Sequence, residues 1–147
     1  MAAVGLPFGQ LQILETKLRP PSIRTEAIIR EQLSQSLVCD TSGTGLLTII
    51  ASAGSGKSTL MSELYRRAGE NGKICCWLSL DDDDNESVIF AKYLIACIFS
   101  LDAESAAREF AFLKSNPSQD YASLFNSLLA RIIAIKSEFV LFVDDFQ

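Results

Sequence analysis

The 147-residue sequence contains no histidine and no pair of cysteines at C-x-x-C spacing. Zinc sites are built largely from such histidines and cysteine pairs, so the composition argues against a zinc site. Three of the four cysteines, Cys75, Cys76 and Cys97, fall in apolar segments, where a free thiol behaves as a small hydrophobe. A reducing cytoplasm suits thiols of this kind.

Clustered lysines and arginines are also lacking, and so are long apolar runs. Arg66 and Arg67 form the only adjacent basic pair, and the formal net charge is −5 with a pI near 4.7. These values argue against a nucleic-acid-binding surface on this segment, because such surfaces concentrate positive charge. No apolar run approaches the roughly 20 residues that cross a bilayer, and the N-terminus lacks a signal-peptide pattern. We therefore expect a cytoplasmic protein that does not contact membranes.

The chain does contain enough apolar side chains for a folded core. Hydrophobic residues make up 48% of the sequence, and the mean hydropathy is +0.22. A chain of this length and composition is expected to be one globular unit or part of one.

The most informative stretch is Leu46 to Leu60, which reads LLTIIASAGSGKSTL. Its aliphatic and β-branched start predicts a strand, and a helix-compatible run follows Lys57. The loop between them consists of small residues, which let successive backbone N–H groups turn onto phosphate oxygens. This order matches the phosphate loop of nucleotide-binding proteins, with Ala51 in place of the usual first glycine.

The phosphate loop supplies candidate ligands for ATP and Mg²⁺. We expect Lys57 to reach the β and γ phosphates, Ser58 to place its hydroxyl on Mg²⁺, and Thr59 to contact the α phosphate. The remaining phosphate contacts are assigned to the loop backbone at Ala53, Gly54, Ser55 and Gly56.

A second nucleotide motif lies in the last segment, FVLFVDDFQ. Five apolar residues, Phe139 to Val143, predict a buried strand that ends at Asp144 and Asp145. A carboxylate at the end of such a strand can hold a water of the Mg²⁺ ion, which is the role predicted for Asp144. Asp145 is the candidate that polarises the attacking water, and Lys57 is the second candidate catalytic residue.

The remaining periodicity predicts an α/β protein. Helices are expected over residues 25–38, 57–68, 86–101, 104–114 and 121–135, and strands over residues 46–51, 74–80 and 139–143. Strand, helix and strand within about 35 residues form a βαβ unit. The expected fold is therefore a P-loop NTPase of the RecA/AAA-like kind, a parallel sheet flanked by helices. We divide the chain into an N-terminal arm and helix, residues 1–45, and a partial NTPase core, residues 46–147.

Four aspartates, Asp81 to Asp84, follow the second predicted strand. A calcium loop is one interpretation, but Glu86 stands where that pattern requires glycine and Lys92 where it requires glutamate. The sequence favours a solvated loop whose last members cap the next helix.

Several phrases of the sequence together carry a family resemblance. They are TKLRPP from Thr16, IIREQL from Ile28, ASAGSGKSTL from Ala51, WLSLDDDDN from Trp77, the pattern Phe90, Tyr93 and Leu94, and FVDDFQ from Phe142. In these phrases the chain resembles the N-terminal ATPase region of the large ATP-binding, maltose-activator-like regulators of the LuxR type, which are STAND-class P-loop NTPases. The resemblance spans nearly the whole chain, and TKLRPP and WLSLD followed by DN are its most specific parts.

The resemblance implies a signal-transduction ATPase in which ATP and an inducer drive self-association. Contact with DNA then belongs to a C-terminal helix-turn-helix domain that is absent from this chain. Ile28 and Arg30 match the family's segment near the adenine, although Ile29 replaces a glycine often found there. Lys57, Ser58, Thr59, Asp144 and Asp145 match the family's phosphate, magnesium and Walker B positions.

The resemblance also implies that the chain is a fragment or a truncated gene product. In similar ATPases the strand that follows the second motif lies between the strands of the two motifs, and the sequence here stops at Gln147. We therefore expect an incomplete sheet, in which the strands at 46–51 and 139–143 lack their shared neighbour.

Other functions compete with an ATP-binding, slowly hydrolysing regulatory domain. A nucleotide-dependent interaction module would bind without turnover, and a truncated fragment would be inactive on its own. A metabolic P-loop kinase or a transporter ATPase is disfavoured, because the sequence shows neither an LSGGQ-like signature nor an arginine-rich lid. The presence of Asp145 favours hydrolysis, whereas the expected loss of the downstream regions favours binding without turnover for this chain.

Overall fold

The computed structural model describes residues 13–22, 37, 45–99, 107–111, 115, 121–134 and 138–145. Within these ranges the main elements are helix α1 (Lys57–Glu70), strand β1 (Ile74–Ser79), helix α2 (Ser87–Ile98), helix α3 (Tyr121–Ala134) and strand β2 (Phe139–Asp144). Two short 3-10 turns, Glu15–Leu18 and Asp82–Asn85, precede α1 and α2. Residues 107–111 are also helical.

The two strands pair in parallel, with Ile74 opposite Phe139 and Ser79 opposite Asp144. The pairing is extended at both ends by backbone bonds, from Ile74 N–H to the Glu138 carbonyl and from Leu80 N–H to the Asp144 carbonyl. Aromatic, β-branched and thiol side chains suit the pleated, buried surface that both strands present. Because the strands are parallel, their carboxyl ends lie at the same edge of the sheet.

Helices cover both faces of this sheet. On one face the rings of Trp77 and Phe142 stack with centroids 6.0 Å apart, and Tyr65 of α1 meets both rings edge-on. On the other face Cys76 and Leu78 pack against Tyr93 and Cys97 of α2. The alternation of side chains along β1 therefore separates two helix contacts, and the expected α/β architecture with flanking helices is confirmed.

Helix α2 lies at the centre of the core. Ala91, Ile95 and Ala96 are fully buried, which matches the nearly continuous apolar sequence of this helix. They pack with Leu128 of α3 and with Phe110 of the 107–111 segment. Small residues at positions 91 and 96 let the neighbouring elements approach closely.

Most predicted elements within the described residues are confirmed. The structure contains the helices predicted over 57–68, 86–101 and 121–135 and the strands predicted over 74–80 and 139–143, with no end shifted by more than three residues. α1 runs through Gly69, its predicted stop, and ends where Asn71 N–H bonds to the Arg67 and Gly69 carbonyls. The helix predicted over 25–38 lies outside the described residues except for Leu37, and the one over 104–114 is described as helix at 107–111.

The strand predicted at residues 46–51 is wrong. The structure describes this segment without strand structure, and Leu46 and Ile50 are 93% and 89% exposed. A strand forms only when its backbone groups pair with a neighbour, and within the described residues the sheet consists of β1 and β2 alone. The aliphatic sequence of the segment could not supply such a partner.

Two leucine truncations test this division between core and surface. We expect Leu78→Ala to lower the free energy of unfolding by about 3 kcal/mol, because a fully buried leucine leaves a cavity. Leu46→Ala removes the same atoms from an exposed side chain and is expected to change it by less than about 0.5 kcal/mol. Chemical denaturation of both variants beside the parent chain measures the difference. A large loss in Leu46→Ala would mean that residues 46–51 are packed in solution.

Candidate functional site

The small-residue loop between residue 51 and α1 adopts the backbone conformation that its glycines allow. Gly54 and Gly56 have φ angles of +74° and +89°, a region that favours glycine. Ser55 N–H bonds back to the Ser52 carbonyl at 3.3 Å. Open space surrounds both glycines, so the turn itself requires them and no neighbouring side chain does.

Helix α1 begins directly from this loop without a side-chain cap. Gly56 is its N-cap residue, no side chain bonds to the first N–H groups, and the first turn contains no acidic residue. The first N–H groups of a helix have no partner within the helix, and the helix dipole makes this end positive. An anion can therefore be bound here by backbone groups.

Lys57 opens α1 and turns back over the loop. Its ammonium donates hydrogen bonds to the carbonyls of Ala51 and Ser52, at 2.9 and 3.1 Å. These bonds hold the positive charge beside the loop, at the end of the helix that attracts anions. Phosphate oxygens are stronger acceptors for an ammonium group than neutral carbonyls are.

A cleft of about 700 Å³ lies at the carboxyl edge of the sheet, beside the start of α1. Ser58 of α1, Ser79 at the end of β1, and Asp144 and Asp145 at the end of β2 line it. The other side of the cleft is formed by Glu15, Thr16, Arg19, Pro20 and Pro21. The structure thus brings together the predicted magnesium ligands, Ser58 and Asp144, and the predicted catalytic Asp145.

The two aspartates differ in environment and backbone conformation. Asp144 is buried at the last position of β2, whereas Asp145 is exposed and has a φ angle of +56°. Aspartate is among the non-glycine residues that tolerate this left-handed region. The turn ends the strand at once, so two consecutive carboxylates lie at one cleft with different access to water.

The other predicted site residues either do not line the cleft or lie outside the described residues. Residues 53–56 form the exposed loop, and Thr59 is half-buried in α1 without lining the cleft. Ile28 and Arg30 lie outside the described residues. Sequence reasoning missed Ser79, Thr16 and Arg19, although TKLRPP and WLSLD had both been recognised as family phrases. Their positions at the cleft follow from tertiary contacts, which no local pattern reveals.

Lys17 fixes the TKLRPP segment to the sheet edge. Its ammonium lies 2.7 Å from a carboxylate oxygen of both Asp81 and Asp84, and 4.7 Å from the ring centre of Tyr93. Burial lowers the pKa of Lys17, but the bonds to Asp81 and Asp84 outweigh it and leave this pKa above its ordinary value. The bond to Lys17 is also the main cause of a lowered pKa at Asp81.

The aspartate run is solvated at Asp81, Asp82 and Asp83, as the sequence favoured, but Asp84 is buried and the run does not cap the next helix with a side chain. Asp81 caps the 3-10 turn Asp82–Asn85 by accepting from Asp83 N–H, and Asp84 bonds in return to Asp81 N–H. Asp84 is buried against Lys17, and α2 starts at Ser87, after the N-cap residue Glu86, without a side-chain cap. Within the described parts of the chain, no group of three or more acidic or cysteine residues is arranged to hold a metal ion.

Comparison with known proteins decides the family. A model of the AAA ATPase domain matches residues 24–147. The chain belongs to the AAA ATPase domain family. This membership supports nucleotide binding.

The AAA ATPase domain is also similar to curated transcriptional regulators. It is 31% identical over 135 residues to proteins named HTH-type transcriptional regulator MalT from Klebsiella pneumoniae and from Cronobacter sakazakii. The alignment covers 92% of this chain and 14% of each relative, so the chain spans about one seventh of their length. The expected resemblance to the ATPase region of such regulators is confirmed. No solved structure matches the chain. Among the described residues, no helix has the length and apolarity needed to cross a membrane.

Two glycine substitutions test the loop geometry of the AAA ATPase domain. We expect Gly56→Ala to lower the free energy of unfolding by about 1 kcal/mol, because alanine is strained at positive φ. Gly69→Ala lies inside α1, with open space around it, and is expected to raise that free energy by about 0.5 kcal/mol. Thermal or chemical denaturation measures both. If both substitutions change the free energy of unfolding equally, the positive φ angle of Gly56 is not required in solution.

Proposed function

We propose that this chain binds Mg²⁺·ATP and hydrolyses it slowly, as the ATPase region of a LuxR-type transcriptional regulator. The observation that carries the proposal is the common cleft of Ser58, Asp144 and Asp145 beside a glycine loop and an uncapped helix start. These groups come from two separate parts of the chain, residues 51–58 and residues 144–145. Their meeting at one edge matches the needs of a metal-bound triphosphate.

The loop and helix start are assigned to the phosphates. The N–H groups of residues 53–56 and of the first turn of α1 would meet phosphate oxygens, with Lys57 exchanging its two carbonyl acceptors for phosphate. Thr59, Ile28 and Arg30 are further proposed contacts, the first to the α phosphate and the other two near the adenine. The same loop holds no acidic residue that would repel the ligand.

The carboxyl edge of the sheet is assigned to the metal and to the water. Ser58 and Asp144 supply a hydroxyl and a carboxylate, which are the oxygen donors that Mg²⁺ prefers. When bound, Mg²⁺ would neutralise charge on the phosphates. Asp145 is exposed at the cleft and would accept a proton from the attacking water.

The regulatory part of the proposal rests on the similarity to HTH-type transcriptional regulators. With a net charge of −5, this chain is expected to bind DNA poorly, because the DNA backbone is also negative. We therefore assign DNA contact to a domain outside this segment, and self-association in response to ATP to the segment itself. Residues 1–45 and 46–147 are proposed as an arm and a core that act as one folded unit, since Lys17 of the arm bonds to Asp84 of the core.

Removal of the loop lysine tests nucleotide binding. We expect Lys57→Ala to weaken Mg²⁺·ATP binding by about tenfold to a hundredfold, because it removes a charge-assisted bond to phosphate. Calorimetric titration of the purified chain measures the affinity, and a thermal melt checks folding. Lys73→Ala is the control, since Lys73 precedes β1 at the opposite edge of the sheet. Equal loss in both variants would argue against a specific role for Lys57.

Substitution of the exposed aspartate separates hydrolysis from binding. We expect Asp145→Asn to reduce ATP turnover by about a hundredfold or more while changing ATP affinity by less than about threefold. Asparagine tolerates positive φ, so the strand end should keep its shape. Phosphate release and calorimetry give the two values, with Asp83→Asn as a control at an acidic position that does not line the cleft.

Measurements of ATP binding and turnover, starting with the parent chain, distinguish the competing functions. Binding that depends on Lys57 without measurable turnover would replace the proposed ATPase by a nucleotide-dependent interaction module. Unchanged turnover in Asp145→Asn would assign proton transfer to another group.

A further inference from the structure

The TKLRPP segment is attached to the core at both of its ends. At one end, Lys17 bonds to Asp81 and Asp84, and Leu14 N–H lies 3.4 Å from the Tyr93 hydroxyl. At the other end, the Ser62 hydroxyl of α1 donates to the Pro21 carbonyl at 3.3 Å. The segment therefore bridges the end of β1 and helix α1.

Apolar packing adds to these polar attachments. Ile13 and Leu18 pack against the core residues of β1 and α2. Between the attachments, the extended backbone imposed by Pro20 and Pro21 passes along the cleft. The segment is a fixed wall of the cleft.

Arg19 stands on this wall with its guanidinium available to a ligand. Within the described part of the chain its guanidinium bonds to Glu15, 3.2 Å away across one turn, and both side chains are more than 60% exposed. Exposed pairs of this kind contribute little to stability. Among the described residues that line the cleft, Arg19 is the one arginine or lysine, and Glu15, Asp144 and Asp145 supply carboxylates.

We propose that Arg19 is a nucleotide-binding residue whose guanidinium pairs with a phosphate of ATP, and that Lys17 is the positioning residue that holds it there. The inference rests on the proposed function, because it requires the triphosphate to occupy this cleft. Arg19 would exchange Glu15 for phosphate, which offers a planar guanidinium two acceptors at once. The phosphates would then be held from two sides, by the loop and Lys57 on one and by Arg19 on the other.

Two variants, each of which neutralises one partner of the Arg19–Glu15 ion pair, test the role of Arg19 in nucleotide binding. We expect Arg19→Gln to weaken Mg²⁺·ATP binding by about tenfold, since a charge-assisted bond is lost. Glu15→Gln should strengthen it by about threefold, because it frees Arg19 and removes a negative charge from the cleft. A merely structural ion pair would give changes of the same sign in both variants. Calorimetric titration with Mg²⁺·ATP measures each affinity.

Arg66→Gln is the matched control. Arg66 is an exposed arginine of α1 that bonds to Glu63 and Glu70 and does not line the cleft. Arg67 retains its bond to Glu63 in this variant. We expect its ATP affinity to equal that of the parent chain.

A double-mutant cycle tests Lys17. Lys17→Met should weaken ATP binding about threefold or more, and the double variant with Arg19→Gln should bind no more weakly than Arg19→Gln alone. Independent, additive losses would overturn the positioning role. If Lys17→Met fails to fold in a thermal melt, the Arg19 and Glu15 variants decide the nucleotide-binding role by themselves.

The outcomes separate this inference from the proposed function. Binding that is lost in Lys57→Ala but unchanged in Arg19→Gln overturns the role of Arg19 and leaves the nucleotide site standing. Absence of Mg²⁺·ATP binding to the parent chain overturns both.

Discussion

Parallel pairing of β1 with β2 is the constraint on which the rest of the structure depends. The register places Ser79 opposite Asp144, so both strands end at one edge and the cleft forms there. Antiparallel pairing would put these residues at opposite ends of the sheet. The pairing also requires a long connection between the strands, and α2 and α3 lie within it. α2 then covers one face of β1, while α1 covers the other.

A buried ion cluster is the second constraint. The side chains of Lys17 and Asp84 are 11% and 2% exposed, and each would be costly to bury alone. Their contact links positions 67 residues apart in the chain, and it lies directly beneath the cleft wall. The aspartates after β1 therefore act on the site indirectly, by fixing the segment that carries Arg19. Asp81 and Asp84 of the acidic phrase therefore have a structural function.

The parts of the fold that could be predicted from the sequence are those specified by local pattern. Helix α1 follows from its phosphate loop, and β2 follows from five apolar residues before Asp144. The strand expected at residues 46–51 failed because strand formation depends on a neighbour, which the segment's own side chains do not provide. For the same reason, the sequence did not reveal that one member of the aspartate run is buried. The burial of Asp84 depends on Lys17, which no periodicity connects to it.

The residues of the candidate site likewise divide into those that a local motif predicts and those that depend on tertiary contacts. Ser58, Asp144 and Asp145 were predicted because each stands at a fixed offset within a short motif, and the parallel sheet brings them to one cleft. Arg19 lies in TKLRPP, which was recognised as a family phrase but indicated no chemical role for this residue. The position of Arg19 at the cleft arises only when the segment packs against the core. Charge explains why that docking matters. A chain of net charge −5 offers few cations to a triphosphate, and the cleft edge itself carries three carboxylates. The fold holds two cations near the proposed path of the triphosphate, Lys57 through carbonyls of the loop and Arg19, at the cleft, through the segment that Lys17 attaches to the core.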